Sequence, residues 1–199
     1  MTRHSSHFTI FTDGPLSKDL SGIRETRLQY TEGEYQNPVI KQLPDISKEE
    51  FVNKGMGEVG LEIPKFDFQS MEKEQIGSTG KERLKYELRV DGNIDLLQVE
   101  PKTNEVEEMT FELEGRHDGT WLRWRVDIDE REAQEVEQEV EEKLQKLQSG
   151  LDFLSPRLKA INEEIEEKLE TVYAERIEKS ETNQDTIDDL DVTTPDESD

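Results

Sequence analysis

The feature that most constrains this chain is one unbroken apolar stripe in its last third: Ala133, Val136, Val140, Leu144, Leu147, Leu151, Leu154, Leu158, Ile161, Ile165, Leu169 and Val172. Steps of three or four residues place all of these side chains on a single helical face. The residues between them are mostly Glu, Lys, Gln and Arg, which lose little rotamer freedom in a helix, so propensity agrees with pattern. Isolated helices of this length are marginal in water, and the stripe therefore needs cover from the rest of the chain or from a second copy.

Asp129 is placed to accept hydrogen bonds from orphan amides, and Glu132, three residues on, to reach back as a capping box. Ser149-Gly150 supplies a stop signal, and Ser155-Pro156 an N-cap followed by proline at the first helical position. The sequence thus predicts two helices, 129–149 and 156–179, joined by Leu151, Asp152, Phe153 and Leu154. If the chain reverses at that joint, the two faces close as an antiparallel hairpin. If it only kinks at Pro156, they form one coiled-coil-like rod. The continuous phase of the stripe argues for the rod, the stop and start signals for the hairpin.

The 199 residues include 49 acidic and 25 basic ones, a net charge of −24, and 37% of positions are charged. That charge is spread along the chain, a pattern matching the solvated surfaces of haloarchaeal proteins and, as an alternative, a preference for basic partners. A field of this sign repels phosphate backbones, so direct nucleic-acid binding is disfavoured; only Arg116, Arg123 and Arg125 cluster. No apolar run reaches the length of a membrane span and Met1-Thr2-Arg3-His4 opens no signal peptide, which together point to a cytoplasmic protein. With no cysteine, disulfide and thiolate chemistry are excluded.

Ahead of the stripe the signals are those of strands. Phe8 and Ile10 suggest a short strand ending at the turn Asp13-Gly14-Pro15. Arg27–Tyr30 reads as a strand and Asp45–Lys54 as one or two helical turns. Val59, Leu61 and Ile63 alternate up to Pro64, Phe66 and Phe68 resume beyond it as a bent or edge strand, and Ser70–Gly80 reads as a loop. Leu84, Tyr86, Leu88 and Val90 share one strand face, Asp91-Gly92-Asn93 turns the chain, and Ile94–Val99 returns as a second strand. A further hairpin runs from Met109, Phe111 and Leu113 through the turn at 115–119 to Trp121–Ile128. It sets Glu112 and Glu114 opposite Arg123 and Arg125, a paired and solvated face. From Thr182 to Asp199 there are seven acidic residues and no basic one, a composition for a disordered tail. The fold class is α+β: an antiparallel sheet domain (1–128) of five to seven strands, an amphipathic helical arm (129–180) and an acidic tail (181–199).

Chemistry is sparse. Gly55-Met56-Gly57-Glu58-Val59-Gly60 matches a dinucleotide fingerprint without the strand-to-helix context it needs. Gly77-Ser78-Thr79-Gly80-Lys81 is half a phosphate loop, with Gln75 and Glu82 at positions that require glycine and a hydroxyl. His4, His7 and His117 have no partners suggesting a metal site, and neither metal nor cofactor is expected. The sharpest enzymatic pattern is Glu100-Pro101-Lys102 after the apolar run Leu96-Leu97-Gln98-Val99, with Asp91 and Asp95 upstream. Acid-x-lysine at a strand end resembles the PD-(D/E)xK nucleases, which implies magnesium held by Asp91, Asp95 and Glu100 with Lys102 orienting water. In this sequence the upstream acids lie only five to nine residues away, and proline interrupts the strand.

Gly92-Asn93-Ile94-Asp95-Leu96-Leu97, Pro101, Glu105-Val106, Phe111-Glu112-Leu113 and the spacing of Leu151, Leu154, Leu158 and Ile161-Asn162 resemble a module of prokaryotic, anti-phage-type proteins. In that module a β-rich segment leads into a helical pair preceding a nuclease or signalling domain. The resemblance covers about half the chain and implies a sensing or docking part whose catalytic partner lies on another chain. The functional expectation is a non-catalytic interaction or assembly module, binding another protein or a copy of itself through Val136, Val140, Leu144, Leu147, Leu158, Ile161, Ile165 and Leu169, insofar as the sheet does not bury them. The alternative is a divergent metal-dependent nuclease.

Overall fold

Alternation of apolar and charged side chains builds a five-stranded antiparallel sheet in the computed structural model, which describes residues 6–11, 19–33, 46–78, 81–99, 109–117 and 119–189. The strands are β1 (Ser6–Ile10), β2 (Lys65–Ser78), β3 (Lys81–Asp91), β4 (Met109–Arg116) and β5 (Gly119–Asp127), in the spatial order β1-β4-β5-β3-β2. The helices are α1 (Leu20–Gly33), α2 (Lys48–Val59) and α3 (Ala133–Asp189). Two compact units result: Met1–Ile23 with Leu61–Ala160, and Arg24–Gly60 with Ile161–Asp199, so that α3 contributes residues to both. The α+β class and the antiparallel sheet are as expected; the turn at 13–15 lies outside the described residues.

The expected pair of C-terminal helices is a single helix instead. Gly150 does not stop α3: it is buried, and a Cβ there would stand 2.1 Å from Cε2 of Phe11. Its role is close approach, letting the Phe11 ring lie against the helix backbone. Phe11 is held there with φ at 53° while its N–H donates to the Leu97 carbonyl at 2.8 Å. Pro156 removes one helical N–H, yet the helix continues. One turn of it is braced by Arg157, whose guanidinium lies 3.8 Å from the Phe153 ring and donates to the Phe153 carbonyl at 2.6 Å. Gly150→Ala is expected to cost about 2 kcal/mol through overpacking, despite alanine's better helix propensity; a chemical-denaturation curve reads the sign, and a stabilised protein contradicts the packing role.

The helix begins at Ala133 rather than Asp129, because the Asp129 carboxylate accepts the Glu82 amide at 2.6 Å and ties the chain to β3. At its other end α3 runs past Glu181 to Asp189, into the segment expected to be disordered; residues 190–199 lie outside the described ones.

Four strand and loop expectations are also corrected. Arg27–Tyr30 belongs to α1, which is stabilised within its unit by ion pairs of Arg24 with Glu164 and Glu32 with Lys168 on α3. Val59 ends α2, and 61–64 has no regular structure. That helix starts where Ser47 accepts the Glu50 amide, and it buries Phe51, Val52, Gly55 and Val59, with the Phe51 ring 5.4 Å from Tyr173. Ser70–Ser78 is strand, not loop: β2 pairs with β3 almost throughout, carrying polar side chains such as Gln75, which donates to Glu82, and Glu74, which pairs with Lys85. An edge strand defended by charge shows no apolar alternation to read. Its register shifts between Asp67 and Glu72, where the Asp67 carboxylate accepts the amides of Gln69 and Ser70. Finally, Ile94–Gln98 is a 3-10 helix capped by Asn93, so the partner of β3 in a hairpin is β2. A short apolar run does not separate strand from helix by periodicity alone.

One sheet face is apolar: Phe8, Ile10, Tyr86, Leu88, Val90, Phe111, Leu122, Trp124 and Val126 are all buried. The N-terminal half of α3 lies over it, with the Lys143 ammonium 4.7 Å from the Phe111 ring centroid. Val136, Val140, Leu147, Leu151, Leu154 and Leu158 are buried within this first unit, and Ile161, Ile165, Leu169 and Val172 within the second.

Candidate interaction surface

The residues that alternate with the apolar ones form a second face of the sheet. Register places Arg83, Lys85, Glu87 and Arg89 of β3 opposite Asp127, Arg125, Arg123 and Trp121 of β5, and Glu112 of β4 opposite Arg123. Opposite charges therefore meet across strands, where side chains stand close enough to pair. Glu87 is the centre. Its carboxylate lies 2.7 Å from Arg123 and 2.7 Å from Arg116, with Lys85 at 3.5 Å. Arg123 and Arg116 both also reach Glu114, Arg125 takes Glu112 at 2.7 Å, and Arg83 takes Asp127 at 2.5 Å. Arg116 further lies 4.6 Å from the Trp121 ring centroid.

The middle of this network is dry and the rim wet: the Glu87 side chain is 6% exposed, whereas Glu74 is 62% exposed. Burial by itself would raise the Glu87 pKa, but hydrogen bonds from Arg116 and Arg123 and the nearby Lys85 charge outweigh it and hold the carboxyl at about 2. Among the described residues the ion pairs of this face join six cations to seven carboxylates, so nearly all of the chain's net −24 lies elsewhere. The expectation of a paired face for Glu112, Glu114, Arg123 and Arg125 holds; the expectation of a solvated one does not, since Arg123 and Glu114 are each 13% exposed.

The stripe residues expected to make contacts are placed differently. Val136, Val140, Leu147, Leu158, Ile161, Ile165 and Leu169 are all buried in the single chain, and only Leu144 is partly exposed. The stripe has its cover within this chain, where phase alone could not tell core from interface.

Of the nuclease pattern, Glu100 and Lys102 lie outside the described residues. Asp91 ends β3 and pairs with Arg89 at 3.0 Å, and Asp95 stands exposed on the 3-10 helix. Asp91 also lines an open, mostly apolar pocket of about 590 Å³ with Glu62, Pro64 and Lys159. Among the described residues no group of three acidic or histidine side chains is arranged to hold a metal ion. The glycine fingerprint of 55–60 lies on α2, with Gly60 as its C-cap, and so has no phosphate-facing turn. His4 lies outside the described residues and His117 is exposed in the β4–β5 turn.

No family model, curated protein or solved structure matches this chain. The functional reading therefore rests on the surface just described. No described helix is long and apolar enough to cross a membrane.

The network was missed as a site because each charge, taken singly, reads as an ordinary outward strand residue. The signal available was the number of arginines on strands predicted to neighbour one another, but the order β4-β5-β3 that brings Arg116 and Arg123 to Glu87 is tertiary.

Proposed function

We propose that this chain is a non-catalytic interaction module that docks another protein chain, a second copy of itself included, through the charged face of its sheet. The observation that carries the reading is charge balance: on a molecule at −24, this face is where a partner approaches with least repulsion. Its side chains are already held by one another, so docking immobilises few rotamers. Arginine and tryptophan, here Arg116 over Trp121, are the residue types that dominate interface energies. The acidic remainder suits a surface solvated at high salt, and the likeness to defence-type modules extends the reading to a docking component of a multi-subunit prokaryotic system.

Light scattering at low and high salt tests self-association. The expected result is a mass that is a multiple of 23.2 kDa, rising as salt screens the residual charge. The double variant Arg89→Glu, Glu72→Lys reverses two rim charges without altering the total and is expected to return the particle to one chain's mass. Its melting curve should barely move, because exposed pairs contribute about 0–1 kcal/mol. A single-chain mass at every salt concentration rules out the second copy and leaves only a different chain.

A further inference from the structure

Residues 61–64 have no regular structure, yet they are pinned in place. The Asn93 N–H donates to the Glu62 carbonyl at 2.9 Å, and Gly92, with φ at 85°, lies so near that a Cβ there would stand 2.6 Å from the Ile63 oxygen. Positive φ and close approach are the two conditions that call for glycine. Leu61 and Pro64 are buried and Ile63 is half-buried. Between this segment and α3 lies the open pocket of about 590 Å³, lined from the helix by Ser155 and Lys159. All of its walls belong to the first compact unit.

Ser155 and Lys159 stand four residues apart on one helix, so their side chains are neighbours on its surface. Neither is engaged: among the described residues the Ser155 hydroxyl makes no hydrogen bond and the Lys159 ammonium no ion pair. Thr171 and Thr182, on the same helix, return their hydroxyls to the carbonyl one turn back, at 3.0 and 2.9 Å. Ser155 does not, although it is half-buried. The pocket's carboxylates are placed differently. Asp91 pairs with Arg89 at 3.0 Å and stands opposite Lys65 in the strand register, so cations of the sheet already answer its charge. Glu62 is exposed, and its neighbours along the segment are apolar. A cationic head group would meet that one carboxylate, whereas an anionic one meets two donors set by a single helical turn.

We propose that this pocket binds a small carboxylic acid with an apolar body, its carboxylate held by the Lys159 ammonium and the Ser155 hydroxyl and its body lying on Leu61, Ile63 and Pro64. The volume is that of a small-ligand site, and such sites are mostly apolar with a few placed polar groups. Contacts inside the pocket decide capture, because the chain's general negative field is screened within about 8 Å at physiological salt. The site shares no residue with the ion-pair network around Glu87 and needs no partner chain, so it and the docking reading can fail separately.

Octanoate is titrated into the full chain while the backbone amides of Ile63 and Gly92 are followed in a nitrogen–proton correlation spectrum. Acetate, octanol and octylammonium, at matched ionic strength, separate the contributions of head group and body. The expected result is a saturable shift of both amides with octanoate, none with acetate, and weaker binding of the neutral and cationic eight-carbon compounds. Lys159→Met, which keeps an unbranched stem at an exposed position, should weaken octanoate about tenfold or more, as loss of a charged hydrogen bond does, and leave octanol unchanged. Ser155→Ala should weaken octanoate in the same direction, and Lys73→Met, an exposed lysine outside the pocket, should not. Amides that octanoate does not shift saturably, octanol or octylammonium binding as tightly as octanoate, or an octanoate affinity unchanged in both pocket variants overturns the site.

Discussion

Ile165→Glu should unfold the helical unit, while Leu144→Glu, on the same stripe, should be tolerated. Ile165 is fully buried among α3 and its neighbours, whereas Leu144 is partly exposed. Replacing Ile165 removes a packed aliphatic side chain, worth about 2–5 kcal/mol when truncated. It also buries a carboxylate at a position that is wholly covered, and the total is a large part of the roughly 5–15 kcal/mol that holds a domain together. Circular dichroism during a urea titration reads the result as loss of helical signal at low denaturant for Ile165→Glu. The Leu144→Glu curve should shift by clearly less than that of Ile165→Glu, because the half-buried side chain at 144 lets a carboxylate reach water. Equal effects at the two positions would mean that the stripe is uniformly covered or uniformly free, and that the burial gradient along it is wrong.

Glu87→Gln is the second large effect, with an expected loss of about 2–3 kcal/mol near neutral pH. Glutamine keeps the shape but removes the charge that Arg116 and Arg123 both address from 2.7 Å, leaving two guanidinium groups with less than they need. The same carboxylate gives the pH dependence its sign. Its pKa falls from an ordinary 4.5 to about 2 on folding, so the folded chain holds the deprotonated form more strongly than the unfolded chain does. The associated stability, about 3 kcal/mol by linkage, is fully present above pH 4.5 and is lost as pH falls toward about 2. Denaturation curves of the parent and Glu87→Gln should therefore converge as the solution is acidified through that window. A gap that stays constant down to about pH 2 would show that the network does not hold the charge.

These two residues mark how much of the molecule was legible beforehand. Ile165 announced itself through spacing, since a position three or four residues from each apolar neighbour has one face to occupy. The β4–β5 hairpin and the apolar sides of β3 and β5 were readable for the same reason, as two-residue alternation belongs to a strand with one covered side. Where local punctuation competed with phase, phase won: Gly150 and Pro156 looked like a stop and a start, yet the stripe keeps its register through both and so does α3. Glycine at 150 answers to Phe11, a residue 139 positions away in the chain, and no local rule connects the two.

Polar edges were illegible. Residues 70–78 form strand because β3 offers them partners, and Arg27–Tyr30 is helical because α3 offers ion pairs to its neighbours Arg24 and Glu32. Neither segment has enough apolar periodicity to settle its own state, so tertiary contact settles it.

The sequence by itself determined the class of fold, the apolar face of the long helix, the β4–β5 hairpin and the strong negative charge, because periodicity and composition act locally and additively. Only the tertiary structure decided that the helix is one piece and that its stripe is core. It also decided that Glu87 sits beneath two arginines. Each of these depends on which distant segment becomes a neighbour, and burial and ion pairing are properties of neighbours rather than of residues.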